Sequence, residues 1–270
     1  MPSPAASESR GARQRLILDH VLQRGQASVA ELAELTGRSL MTVHRDLDDL
    51  ANRHLLRKFH GGVSALPTSV FESSSEFRMH RRTIEKETLA VAAFELVEPG
   101  MSVMLDDSTT VLALSRMLPE RAPLTVVTNY RQVLDALGDA PDIQLIVIGG
   151  QYSRTHDSFI GPPDQTNLES YAVDIAFQST STMDATMTYH QEQEVVSMKR
   201  TMLRSGTRRV LMMDSTKVGH TSLHRFVPIS AFTDVLLTDD VEPGIADRVA
   251  EQADLRLVAV PASGALRAPA

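Results

Sequence analysis

The stretch AELAELTGRSLMTVHRDLDDL at residues 30–50, followed closely by LLRKFHGG at 55–62, sets how the first quarter of the chain folds. Ser39 is placed to cap a helix in which Leu40, Val43, Leu47 and Leu50 recur at spacings of 3, 4 and 3, one stripe for burial. At about 100° per residue, Met41, Arg45, Asp48 and Asn52 then face outward, with Thr42 and His44 on the flanks. Upstream, Ser28 and Glu31 have the spacing of a capping box, which starts a helix through Leu32, Ala33 and Leu35 that Gly37 stops after barely two turns. Before it, Leu16, Ile17, Val21 and Leu22 share one face of a first helix that ends at Arg24-Gly25.

Three helices with a tight Gly turn before the third make either a plain three-helix bundle or a helix-turn-helix whose third helix enters the major groove. The next residues favour the second. Leu55 to Phe59 reads as a strand, His60-Gly61-Gly62 as a turn and Val63-Ser64-Ala65 as a return strand, so a basic wing follows the third helix.

Charge agrees once it is divided. The chain carries a net −7, but residues 1–62 hold nine Lys/Arg against seven Asp/Glu, and the other 208 residues hold 18 against 27. An acidic body with a basic head confines contact with nucleic acid to the head. Arg45 and Thr42 are the expected groove and phosphate contacts; Ser39, Met41 and His44 are candidate base readers, and Arg57, Lys58 and the wing-tip His60 complete the DNA-binding set. Asp46 is expected to hold a neighbouring Arg or to cap local backbone, because its charge would repel phosphate.

The block from Arg13 to Gly62 resembles the DeoR family of sugar-responsive repressors, with Ser39, Thr42, Arg45-Asp46-Leu47, Leu50, Leu55-Leu56 and His60-Gly61-Gly62 at the family spacing. His44 stands where Arg is usual, and Arg53-His54 replaces the usual pair before the wing.

A polar hinge at Pro67-Thr68-Ser69 and Ser73-Ser74-Ser75 leads to a helix expected over 76–97, with Ile84, Leu89, Ala92, Ala93 and Leu96 toward a core. Beyond it, apolar strand-like runs at 102–105, 124–127, 143–148, 173–177, 209–213, 235–237 and 255–259 alternate with helical patterns. That alternation implies a mainly parallel sheet covered on both faces, with ligands bound off the strands' carboxyl ends. The residues there are Asp106, Asp107, Ser108, Thr109 and Thr110 after the first run, Thr128-Asn129 after the second, Gly149-Gly150 after the third, Asp184 after the fourth and Lys217 after the fifth. Hydroxyls, amides and a cation so placed suit an anionic ligand, although each alone is ordinary turn chemistry.

LDDSTTVLAL, VVTN, VIGGQYSRTHDSFIGP, VDIAFQSTSTMD, the MKR at 198–200 and MDSTKVG resemble the DeoR sensor domain along nearly its whole length. The resemblance implies an α/β chain. A winged helix-turn-helix over 10–67, a linker over 68–84 and, over 85–262, an α/β effector-sensing domain similar in fold to ribose-5-phosphate isomerase and coenzyme A transferases make it up. It implies a repressor gated by a phosphorylated sugar, with Asp106 to Thr110 cradling the phosphate, Lys217 pairing with it or with a sugar oxygen, and Asp184 bonding sugar hydroxyls. Asp107 departs from the family's Asp-Ser-Gly-Thr-Thr and costs phosphate binding unless it turns away, pairs with Lys217 or another cation, or binds hydroxyls, which leaves a less charged sugar derivative open as the effector.

The expected partners are double-stranded operator DNA, a small-molecule effector and further copies of the chain, since half-sites are read by symmetric pairs. The absence of Cys excludes disulfides and thiolate chemistry, and nine His without an HExxH motif point to no metal and no cofactor. With no apolar run near the ~18 residues of a membrane span, and no signal-peptide pattern at the start, the expected location is the cytoplasm. Two rivals remain: a constitutive DNA-binding protein with a vestigial body, and an aldose-ketose isomerase using Asp184, Glu192 or Glu194 as its base.

Overall fold

The structure, a computed structural model, describes residues 10–53, 55–64, 75–79, 81–161, 168 and 170–261. His54, Ala65, the hinge residues up to Ser74, and both chain ends lie outside the described residues. The chain divides into two units, residues 1–80 and 81–270.

In the first unit, α1 (Arg10–Arg24) ends at Gly25, whose φ of 79° needs no Cβ to accommodate. β1 (Gln26–Ser28) leads directly into α2 (Val29–Thr36), where the Ser28 Oγ accepts from the Glu31 amide at 3.2 Å. The reciprocal half of the expected box is redirected, because the Glu31 carboxylate takes His20 Nε2 at 2.9 Å and Arg24 Nη1 at 2.5 Å. α3 (Leu40–Asn52) buries Val43, Leu47 and Leu50 as its pattern requires. Leu40 departs from that expectation. It is 54 % exposed, since the first turn of α3 projects past the cluster formed by Ile17, Val21, Leu32, Val43, Leu47, Leu50, Leu55 and Val63.

Asp46 is a charged residue on the buried face of α3. Arg13 Nε and Nη2 donate to its two oxygens at 2.6 and 3.2 Å, and Gln14 Nε2 bridges it to Asp49 at 3.2 and 3.0 Å, so α1 is bolted to α3 by a satisfied polar cluster. The wing is β2 (Arg57–Phe59) and β3 (Gly62–Ser64), and it has a strand more than expected: β3 lies between β2 and β1 in an antiparallel sheet. Leu55 and Leu56 do not belong to the wing; they are buried in the core.

The helix expected over 76–97 is two helices, α4 (Ser75–Met79) and α5 (Thr83–Phe94), because Arg82 sits in the left-handed region at φ 53°. From α5 onward the second unit is doubly wound: β4 (Ser102–Leu105), α6 (Thr109–Ser115), β5 (Leu124–Thr128), α7 (Arg131–Leu137) and β6 (Ile143–Val147). A hairpin of β7 (Gln151–Ser153) and β8 (Ser158–Ile160) follows, then β9 (Val173–Gln178). Next come β10 (Thr182–Met183), β11 (Met187–His190), α8 (Gln193–Ser205), β12 (Gly206–Met213), β13 (His224–Pro228), β14 (Asp234–Thr238), α9 (Pro243–Ala250) and β15 (Asp254–Val258).

Among the described residues, seven strands pair in parallel in the order β15-β14-β12-β9-β4-β5-β6. The seven apolar runs supply these strands, buried on both faces at the centre. The order runs outward from β4 to β5 and β6 on one side, then restarts at β9 on the other side of β4. β4 and β9 therefore flank the topological switch point, where the connections diverge and leave a crevice at the carboxyl ends. β10, β11 and β13 form a small antiparallel sheet beside it.

A Cβ on Gly62 would meet the Ala27 carbonyl oxygen at 2.5 Å and the Phe59 ring at 2.8 Å. Gly62→Ala is therefore expected to destabilise the head by about 1–3 kcal/mol, from overpacking. Gly11→Ala, with nothing within 4 Å on α1, is the neutral or stabilising control in the same thermal melts.

Candidate functional site

The outer surface of α3 begins at Ser39, whose hydroxyl is the helix cap: it accepts from the Thr42 amide at 3.3 Å and lies 3.0 Å from Thr42 Oγ1. Ser39 thus shapes the helix start more than it offers a free group. Met41, His44 and Arg45 are exposed and Thr42 is half-buried. On the wing, Arg57, Lys58 and His60 are exposed, and Lys58 Nζ lies 2.5 Å from Asp48 Oδ1 on α3. That surface ion pair holds the wing against the helix and is weak enough to be exchanged for a phosphate.

In the second unit the crevice between β4 and β9 has a charged floor. Asp106 and Asp107, directly after β4, are buried, and so is Lys199 of α8. Lys199 Nζ donates to Asp106 Oδ2 at 2.5 Å and reaches Asp107 Oδ1 at 3.0 Å. Burial works to lower the Lys199 pKa, but attraction to Asp106 and Asp107 and the hydrogen bonds to them outweigh it and raise it. Lys199 is the cation that Asp107 requires. Its MKR context marked it only as a family match, because nothing in the chain order brings residue 199 to residue 107.

From this floor one hydrogen-bonded chain runs around the strand ends. Asp106 also accepts from the amides of Ser108 and Ser179, both at 3.0 Å, so its own loop and the end of β9 are tied to one carboxylate. Ser179 Oγ lies 3.4 Å from Lys217 Nζ, which is 3.5 Å from Asp214 Oδ2. Burial pushes the Asp214 carboxyl up, but Lys217, the Thr216 hydroxyl, Lys86 and Arg82 outweigh it and hold it below 3.8. In the other direction Ser158 Oγ donates to Asp107 Oδ2 at 2.8 Å, and the neighbouring Phe159 exchanges bonds with Asn129: amide to Asn129 carbonyl at 2.9 Å, carbonyl from Asn129 Nδ2 at 3.0 Å.

The hairpin carrying Ser158 is clamped from outside. Asp157, at φ 55°, receives Arg131 through two nitrogens at 2.5 and 2.7 Å, Gln132 Nε2 at 2.5 Å and the Tyr152 hydroxyl at 2.6 Å. His156, buried beside it, lies 2.9 Å from Glu192 Oε2 across the crevice. Neither the hairpin nor His156 was anticipated from sequence; the signal was a run of polar residues that reads as loop.

Asp106, Asp107, Ser108, Asn129 and Lys217 thus join one network, with Thr109 and Thr110 opening α6 beside them. Ser108 caps α6 by accepting from the Val111 amide at 3.2 Å, and Thr128 Oγ1 accepts from the Tyr130 amide at 3.1 Å. Other expected residues have local work. Asp184 holds the β10–β11 turn, accepting from the Thr186 amide at 2.7 Å, the Thr186 hydroxyl, the Met187 amide and the Tyr189 hydroxyl at 2.6 Å. Gly150, at φ 150°, leaves room for its own chain, since a Cβ would meet the Gly161 carbonyl at 2.8 Å. Gly149 has open space around it.

Among the described residues of this unit, the buried side-chain polar atoms without a partner are Thr110 Oγ1, Asn129 Oδ1, His156 Nδ1 and Gln178 Oε1. All four lie at the carboxyl end of the sheet: after β4, after β5, in the hairpin, and at the last position of β9.

Residues 13–69 match the model of the DeoR-like helix-turn-helix domain, and residues 81–240 that of the DeoR C terminal sensor domain. The chain is 32 % identical over 247 residues to the L-fucose operon activator of Haemophilus influenzae, covering 91 % of this chain and 98 % of that one. It is 28 % identical over 232 residues to the glycerol-3-phosphate regulon repressor of Escherichia coli, covering 84 % and 90 %. Among solved structures, ribose 5-phosphate isomerase A from Methanocaldococcus jannaschii aligns with a TM-score of 0.37 at 17 % identity, over 50 % of this chain and 53 % of that one.

Lys199 is bonded to both carboxylates of the floor, and removing it exposes their cost. Lys199→Met is expected to lose about 3–5 kcal/mol, because two buried carboxylates are left facing each other. Adding Asp107→Asn to that variant should recover part of the loss in the same denaturation assay, which a purely steric role for Lys199 would not allow.

Proposed function

Because this chain belongs to the DeoR family of transcriptional regulators, we propose that it represses carbohydrate genes under the control of a phosphorylated sugar bound at the carboxyl end of its parallel sheet. The observation that carries the effector site is the gathering of four unpartnered buried polar atoms around the Asp106–Lys199–Asp107 floor. The relatives' names give sugar and polyol-phosphate systems as the chemical class, and they include both an activator and a repressor.

The floor carries two carboxylates against one ammonium, so a phosphate is disfavoured directly over it. The phosphate belongs on the Lys217 side, with Ser108, Thr109 and Thr110 at the start of α6, and the sugar hydroxyls donate toward Asn129 Oδ1 and the Asp107 side. Asp184 serves the hairpin in this reading. Its saturated carboxylate, the contact of Glu192 with His156 and the exposure of Glu194 support a sensor without isomerase activity. No described helix is long and apolar enough to cross a membrane, and we place the protein in the cytoplasm as a homo-oligomer reading paired half-sites. The domains in this reading are 10–67 for DNA, 68–84 as linker and 85–262 as sensor.

Ligand binding gates DNA only if the effector binds the DNA-bound and free states with different affinity. Fluorescence anisotropy on labelled DNA from the protein's own upstream region, at fixed salt, tests this with a panel of sugar phosphates and free sugars. One compound is expected to shift operator affinity at least about tenfold, or 1.4 kcal/mol. A compound that binds the body yet leaves operator affinity unchanged at every concentration overturns the gating. Lys217→Ala should weaken the phosphorylated compound by about tenfold or more and spare its unphosphorylated counterpart.

Arg45→Ala is expected to weaken binding to all sequences and to lower the slope of log affinity against log salt by about one, as for loss of a phosphate contact. An unchanged slope would assign Arg45 to base edges instead.

A further inference from the structure

Leu40 and Met41 open α3 side by side, 54 % and 67 % exposed, on a head whose other large apolar residues are mostly buried. The helical stripe predicts Leu40 inside, yet it lies outside the core cluster, and an exposed Leu forgoes about 1.5–3 kcal/mol of burial. The pair sits between the Ser39–Thr42 cap and exposed Arg38 and Arg45, so an apolar spot is framed by polar and cationic groups. In a helix-turn-helix this is the turn that meets base edges. Residues 40–45 read Leu-Met-Thr-Val-His-Arg and hold no Asn or Gln to grip adenine in two bonds. The one apolar feature that bases present in the major groove is the thymine C5-methyl.

We infer that Leu40 and Met41 are specificity-determining residues that read thymine methyl groups, so that each operator half-site carries thymine where the start of α3 enters the groove. The inference rests on α3 being the groove-reading helix, as proposed above. Contact of a methyl with either side chain takes apolar surface out of water and rejects cytosine, which lacks the methyl, without any hydrogen bond. His44 and Arg45, one turn further on, are left to fix register and orientation.

The test uses the full chain and the duplex that it selects from a random pool. Each thymine is replaced in turn by deoxyuridine, which keeps base pairing and removes one methyl. Wild-type protein is expected to lose about fourfold in affinity at one or two symmetry-related positions of each half-site, the equivalent of one buried methyl. Leu40→Ala and Met41→Ala, both at exposed positions and checked by melting, should bind normal and substituted duplexes alike at those positions while keeping the wild-type salt slope. The readout is overturned if no substitution changes wild-type affinity, or if both variants retain the wild-type sensitivity. A protein that binds no duplex in a salt-dependent way overturns instead the recognition-helix reading beneath it.

Discussion

Lys199 lies buried between two carboxylates, and the sensing end of the molecule is arranged around that contact. An ammonium and two carboxylates out of water are costly unless every remaining lone pair and proton is used. Here they are used by the ends of separate strands: the Ser108 and Ser179 amides on Asp106, and the Ser158 hydroxyl on Asp107. The requirement to satisfy the charges draws the β4 loop, the end of β9, the β7–β8 hairpin and α8 to one place. Around this contact, Thr110, Asn129, His156 and Gln178 each carry a buried polar atom without a hydrogen-bond partner.

The head solves a similar problem with another charge. Asp46 occupies a buried position on α3, and Arg13 with Gln14 converts it from a liability into the link between the first and third helices. Toward the start of α3 the core of the head reaches only to Val43, and the first turn of the helix projects outward. The same turn that the core gives up is the one that a groove can accept.

Much of this was legible in the order of residues. The seven apolar runs became the seven parallel strands, and the central ones read as near-continuous apolar runs because both their faces are buried. Ser28, Gly37 and Ser39 acted as the caps and stops their chemistry requires, since those effects involve only the nearest few residues. The short strands β1, β7, β8, β10, β11 and β13 were not legible. Each is two to five residues long and owes its conformation to a partner distant in sequence, as when Ala27 pairs with Val63.

The sequence by itself determined the two-part organisation, the helix-turn-helix with its wing and the parallel sheet, because these follow from periodicity and capping. Only the tertiary structure decided that Lys199 offsets Asp107 across 92 positions of sequence, that Asp184 is committed to a hairpin turn, and that Leu40 faces out. The physical reason is common to all three. A side chain's charge partner and its exposure depend on which elements pack against it, and that packing is a property of the whole chain, not of its neighbours in order.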